Sequence, residues 1–412
     1  MIHFELTTLP NGLRVIAHED NTTGMAAVNI LYKVGSRDEH EDHTGFAHLF
    51  EHFMFEGSVN IPHFDTPLQY AGGENNAFTT TDFTNYYELL PSKNIETALW
   101  LESDRMLSLA FDDALLEVQK NVVMEEFKEY YINQPYGDVW HRLVGLSYQV
   151  HPYRWPVIGK SLEHIAQVKL QEAKDFFYKY YRPNNAILSI AGPLRAPEVF
   201  QLAEKWFGDI SPGQPVERNI PAEPPQTEPR FLEVRAKVPV NAIYKAYKMC
   251  ARTDTGFYAA DLIRDLLSNG ESSRLYQQLV KEKKMFSIIS AYLTETVDEG
   301  LFVIEGKISD GVSMDDADRA ITSVTDTLIH DAVSDRELAK VKNKIESYIT
   351  FSEVNILNRA MNLAYYDMLG DPDGVNKEAE KYKAVTSMQI QEASARIFSP
   401  KVCSTIYYFA EK

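Results

Sequence analysis

Apolar positions at Phe4, Leu6 and Leu9 interleaved with polar ones, the Pro10-Asn11-Gly12 turn and the run "LRVIAHE" predict a β-hairpin at the start of the chain, its first strand near Phe4–Leu9. A further strand, "AAVNILYKVG", follows it. The period then changes. "GFAHLFEHFMF" and "NIETALWLESDRMLSLAF" have helical spacing, the second with Leu99, Met106 and Leu107 among its apolar positions. "LLEVQKNVVMEEFKEYY" continues helically until Pro135 stops it. After one more helix, "YRPNNAILSIAG" reads as a loop running into a β-rich strand that ends at Gly192.

Residues 211–229 carry six prolines and almost no apolar periodicity, which is the composition of a linker. Beyond them the pattern restarts with a strand region, "FLEVRAKVPVNAIYKAYKM". Helices are predicted at "YAADLIRDLLS", "SSRLYQQLVKEKK" and "DRELAKVKNKIESYIT". Ser334 and Glu337 form a predicted capping box for the last helix. The closing stretch "IFSPKVCSTIYYFA" echoes the strand that ends the first half. Two similar domains are therefore expected, residues 1–210 and 230–412, joined by the linker 211–229. The expected class is α+β, each domain a mostly antiparallel sheet with helices packed on it.

A chain of 412 residues exceeds the roughly 250–300 at which single cores stop growing, in line with two domains. The net charge of −18 argues against nucleic acid, whose phosphates need clustered Lys and Arg. It is compatible with attracting basic peptides, although an acidic surface more often serves only solubility. Two cysteines, Cys250 and Cys403, make no disulfide framework and read as small buried side chains. No basic n-region precedes an apolar core, and no uninterrupted apolar run of about 18 residues exists. A soluble cytoplasmic protein without membrane contact is expected.

The chemistry concentrates in "GFAHLFEHFMFEGS", residues 45–58, where His48, Glu51 and His52 sit among mostly apolar residues. On a helix His48 and His52 share one face, with Glu51 beside them. Two imidazoles so placed suit Zn²⁺, and a catalytic zinc takes three protein ligands plus a water. Glu51 fits the role of the base that takes the water's proton. The carboxylate-rich helix downstream can supply the third ligand.

H-x-x-E-H inverts the order of ordinary zincins, and the chain resembles the inverzincins, the pitrilysin or insulinase-type metallopeptidases. "LPNGLRVI", "GGENNAFTTTDFTNYYELLP", "NVVMEEFKEYYINQPYG", "HPYRWPVIGK" and "YYRPNNAILSIAG" look like family stretches in family order. The second half matches more loosely, through "SNGESSRLYQQLVKEKK". The resemblance implies Glu126 as third zinc ligand, with Glu125 and Glu129 as alternatives. It places Gln119 where many relatives carry a glutamate supporting the site. It also implies that Asn76, Ala77 and Phe78 bind peptide by strand addition.

Family members that work alone usually carry an Arg and, seven residues later, a Tyr on a second-domain helix. Those places hold Lys281 and Ile288 here. Lysine lacks arginine's bidentate fork, and isoleucine has no hydroxyl for a transition-state oxygen. The implied function is a zinc endopeptidase on extended oligopeptides or unfolded segments. Its implied partner is a homologous subunit without zinc that supplies the Arg/Tyr pair, as in the mitochondrial processing enzyme, or a second copy. The alternative is a non-catalytic structural subunit, but members of that kind typically lose part of H-x-x-E-H.

Overall fold

The computed structural model describes residues 1–411. Eleven strands in these residues form two sheets: β1 (Glu5–Thr8), β2 (Arg14–Glu19), β3 (Met25–Tyr32), β4 (Glu74–Thr79), β5 (Thr84–Pro91), β6 (Ala186–Gly192), β7 (Arg230–Ala236), β8 (Ala242–Met249), β9 (Phe286–Leu293), β10 (Gly300–Ile308) and β11 (Cys403–Ala410). The first sheet has the order β1-β2-β6-β3-β5-β4 and the second β7-β11-β8-β10-β9. In the first, β2 runs parallel to β6, and every other pairing is antiparallel. In the second, β7 runs parallel to β11 and the rest are again antiparallel. From β2 to β4 and from β7 to β9 the connectivity is the same. The echo between the two halves of the sequence is thus a repeated topology, of the mixed α and β class expected.

The compact units do not follow the chain contiguously. The first comprises Met1–Glu129, Trp155–Ile220 and Thr350–Lys377, and the second Tyr130–Arg154, Pro221–Ile349 and Glu378–Lys412. The boundaries read from proline content fall near the 220/221 crossing but miss the two exchanged segments. Local composition cannot reveal them, because an amphipathic helix carries no mark of which sheet it covers. The helix Ile356–Met368 packs Ala360, Leu363 and Ala364 on Ala27, Leu31, Ile187 and Ala191 of the first sheet. Residues 130–154 do the reverse. Val139, Leu143 and Val144 join Ala242, Tyr244 and Ile406 in the core of the second unit. The Glu223 carboxylate accepts the backbone N–H groups of Gln149, Val150 and His151 at 2.7–3.0 Å.

Three helices of the first unit position the site: α1 (Phe46–Phe53), α2 (Ile95–Leu107) and α3 (Asp113–Phe127). A π-helical turn, Lys128–Ile132, continues α3. Beneath α1, Arg105 of α2 is fully buried with Glu88 and Glu102. Its guanidinium lies over the rings of Phe64 at 4.3 Å and Tyr86 at 4.4 Å. Burial and repulsion from Glu102 push the Glu88 carboxyl well above the usual range, opposed by the Arg105 charge.

Two local expectations are modified. Only half of the capping box at the helix Asp335–Ser352 forms: Glu337 N–H donates to Ser334 Oγ at 3.3 Å, while the Glu337 carboxylate takes Arg274 at 2.7 and 2.8 Å. A bidentate guanidinium outcompetes a single backbone amide. "SSRLYQQLVKEKK" becomes the π-helical stretch Tyr276–Glu282. Among the described residues no helix is long and apolar enough to cross a membrane.

Removing the Arg105 charge leaves two carboxyls buried without their counter-ion. Arg105→Met should destabilise the fold by about 3–5 kcal/mol. Urea unfolding checks this; an unchanged midpoint would show that the cluster contributes nothing to stability.

Candidate metal centre

Helix α1 is short and apolar on most of its circumference. Phe46, Ala47, Leu49, Phe50 and Phe53 are buried, with Phe50 packed on Phe176 and stacked on Tyr181. Its N-cap, Gly45, has φ +90° and no side chain to cap the helix; a Cβ there would meet the Ile158 carbonyl at 2.7 Å. The missing cap comes from Glu39, whose buried carboxylate accepts Gly45 N–H at 3.0 Å and Ala47 N–H at 2.8 Å. Burial pushes this carboxyl up to about 8 against those two bonds. The first turn of α1 is therefore fixed from both sides.

What remains on α1 is one polar face. His48, with 19% of its side chain exposed, and His52, with 22%, turn their Nε2 atoms towards Glu126 of α3. The distances to Glu126 Oε2 are 3.8 and 3.4 Å. One ligand atom from each residue lies within 4.8 Å of the others, and among the described residues this is the only such group. Ligands about 2.0–2.2 Å from a tetrahedral ion stand about 3.3–3.6 Å apart; the His52 spacing lies in that range and the His48 spacing just beyond it, so a small side-chain adjustment lets the three atoms hold Zn²⁺. Burial and the neighbouring His52 lower the His48 pKa to about 4, which keeps the ring in the neutral, ligating form. The donor set fits the ion.

Glu51 stands apart from the three converging groups. Its Oε2 accepts from Thr79 Oγ1 at 2.6 Å. Burial raises its pKa, opposed by hydrogen bonds from the Thr79 side chain and backbone and by His52. A raised carboxyl pKa suits a group that must take up and release a proton near neutrality. Thr79 is the residue that sequence reasoning missed. It sits one position beyond the segment singled out on β4, and no pattern in "NNAFTTT" distinguishes it from Thr80 or Thr81.

The other candidates are placed as follows. Glu125 is 73% exposed and pairs with Lys128 at 2.7 Å, and Glu129 is exposed on the π-helical turn. Neither joins the cluster. Gln119 is buried two turns before Glu126, on nearly the same face of α3, but its amide donates to Glu56. Asn76, Ala77 and Phe78 lie on β4, the terminal strand of the first sheet, with Asn76 and Phe78 outward and Ala77 half-buried. Asn76 Oδ1 accepts from Ala77 N–H at 2.8 Å. Lys281 and Ile288 belong to the second unit. Lys281 is helical, but Ile288 is an exposed residue of β9, because Lys284 at φ +51° ends the helix and the β-branched run after it extends.

Two α/β units of shared topology, one bearing an inverted H-x-x-E-H helix faced by a glutamate, define the metallopeptidase architecture of the inverzincins. The family comparisons agree. The model described as "Insulinase (Peptidase family M16)" matches residues 14–152, and "Peptidase M16 inactive domain" matches 167–345. The protein named Zinc protease PqqE of Helicobacter pylori is 31% identical over 82% of this chain and 77% of its own length. A mitochondrial-processing peptidase subunit beta of Caenorhabditis elegans is 27% identical over 53% of this chain and 47% of its own. The crystal structure of a protease from Helicobacter pylori superposes with a TM-score of 0.94 at 27% identity, covering 99% of this chain and 100% of that one. Pitrilysin shares the fold at a TM-score of 0.77 and 18% identity, over all of this chain and 45% of its own. The chain belongs to peptidase family M16.

The two adjacent glutamates give a direct test. Glu126→Ala should weaken zinc binding by at least about 100-fold, whereas Glu125→Ala should leave it unchanged. Zinc titration of both variants checks this, and the opposite ranking would move the third ligand to Glu125.

Proposed function

We propose that the chain is a zinc-dependent endopeptidase that cleaves extended peptides, and that it is the zinc-bearing subunit of a heterodimer. The observation that carries this reading is the meeting of His48, His52 and Glu126 beside Glu51 at the open edge of a sheet. When bound, zinc supplies Lewis acidity that polarises a peptide carbonyl and brings the pKa of a water to about 7.

The protein's own groups do the rest. His48 and His52 are held by the buried face of α1, and Glu126 by α3, so the ligands are ordered before any substrate arrives. Ala77 and its neighbours on β4 offer backbone groups to a peptide strand. Glu51 takes the proton of the attacking water and passes it to the leaving amine as the C–N bond breaks. Asn76 and Phe78 face outward and meet the peptide's flanking side chains.

The partner follows from what the second unit lacks. Lys281 and the exposed Ile288 provide neither a guanidinium fork nor a phenol. A homologous subunit without zinc that contributes an Arg/Tyr pair completes the site. That a relative bears the name of a processing-peptidase subunit supports this arrangement.

Glu51→Gln removes the base while leaving the ligands in place. It should retain one zinc per chain and lose at least about 10³-fold in peptide cleavage. Cleavage of quenched fluorescent peptides, with zinc measured on the same sample, checks this; wild-type turnover by the variant would overturn the assignment. Full activity from the chain alone would overturn the two-subunit reading and leave the chemistry standing.

A further inference from the structure

We propose that Thr79 is a positioning residue for Glu51, and that it sets the base at a fixed backbone register on the edge of β4. This rests on the peptidase reading above and adds to it the way in which the peptide strand is aligned with the base.

The register follows from one hydrogen bond. Thr80 N–H donates to the Phe83 carbonyl at 2.8 Å, which makes Thr80 and Phe83 a hydrogen-bonded pair where β4 turns into β5. Bonded and non-bonded pairs alternate along an antiparallel ladder. With Thr79 opposite Thr84, Ala77 opposite Tyr86 and Asn75 opposite Glu88, the backbone groups of Asn75, Ala77 and Thr79 point away from β5. Since β4 ends the sheet, they point to its open side.

Two of these three outward positions are already engaged by groups of the protein itself. At Ala77 the N–H meets the side-chain oxygen of Asn76 at 2.8 Å. That amide oxygen stands where the carbonyl of an added strand would bind, and it can swing aside because Asn76 is exposed. At Thr79 the engaged group is Glu51, held by the hydroxyl at 2.6 Å.

Consecutive outward positions on a strand are about 6.6–6.8 Å apart. A peptide that displaces the Asn76 amide and pairs with Ala77 therefore meets Glu51 one register step further on. The strand that receives the substrate is the strand that holds the base, and Thr79 is the joint between them. A threonine serves here because its hydroxyl donates to the carboxylate while its branched Cβ favours the extended backbone.

Thr79→Val keeps the branched shape and loses the hydroxyl, and Thr79→Ser does the reverse. On the zinc-loaded full chain, Thr79→Val should lower kcat about 10- to 100-fold with KM within about threefold, and Thr79→Ser should recover most of the loss. Crystal structures of both variants give a second readout. The Glu51 carboxylate should leave residue 79 in the valine variant and stay on it in the serine variant. Wild-type kcat in Thr79→Val, or equal damage in Thr79→Ser, would overturn the proposal. If the wild-type chain cleaved no peptide even with a homologous zinc-free subunit added, the peptidase reading would fall by itself. The position of Glu51 in the valine variant would then decide the positioning role, and an unmoved carboxylate would refute it.

Discussion

Two imidazoles and a carboxylate drawn together at the edge of an apolar core lose solvation that their contacts with one another do not restore. A shared divalent cation would offset that cost, and the first unit holds the three groups close enough together for one. Helix α1 gives five of its eight residues to the core and keeps a single strip for His48, Glu51 and His52. Helix α3 lies across that strip with Glu126 facing in and Glu125 facing out.

Such a site needs ligands that do not drift, and the surroundings explain why they do not. Glu39 replaces the missing cap of α1 from a buried position. Aromatic rings from 176 and 181 pack on Phe50, and below them Arg105 joins α2 to β5 through Glu102 and Glu88. The helix Ile356–Met368 returns from late in the chain to cover the first sheet. These are long-range contacts. They fix the backbone under the ligands, while Thr79 and Asn76 arrange the polar groups on the strand beside them.

Much of this was legible in the residues and some was not. The helix carrying His48 and His52 was clear from its spacing, because i and i+4 on an apolar helix admit few other uses. The strands β1 and β2 were clear from their turn chemistry, β3 and β6 from β-rich apolar runs, and β11 from its echo of β6. Choosing Glu126 over Glu125 needed resemblance, since adjacent helical residues differ only in the direction they face. Gln119 shows the limit of such transfer: its position on α3 suits support of the metal, but its amide is taken by Glu56. The exchanged segments 130–154 and 350–377 were invisible, since periodicity shows that a helix has an apolar face and not which sheet receives it. Thr79 was invisible for a related reason. Its importance lies in a register that only the ladder reveals.

The claim on which the rest depends is that His48, His52 and Glu126 bind one ion together. X-ray absorption at the zinc edge, on protein loaded with one equivalent of Zn²⁺, tests it most directly. A first shell of two imidazole nitrogens and carboxylate or water oxygens at about 2.0–2.2 Å is the result predicted. A shell of oxygens alone, with no imidazole scattering, would contradict it.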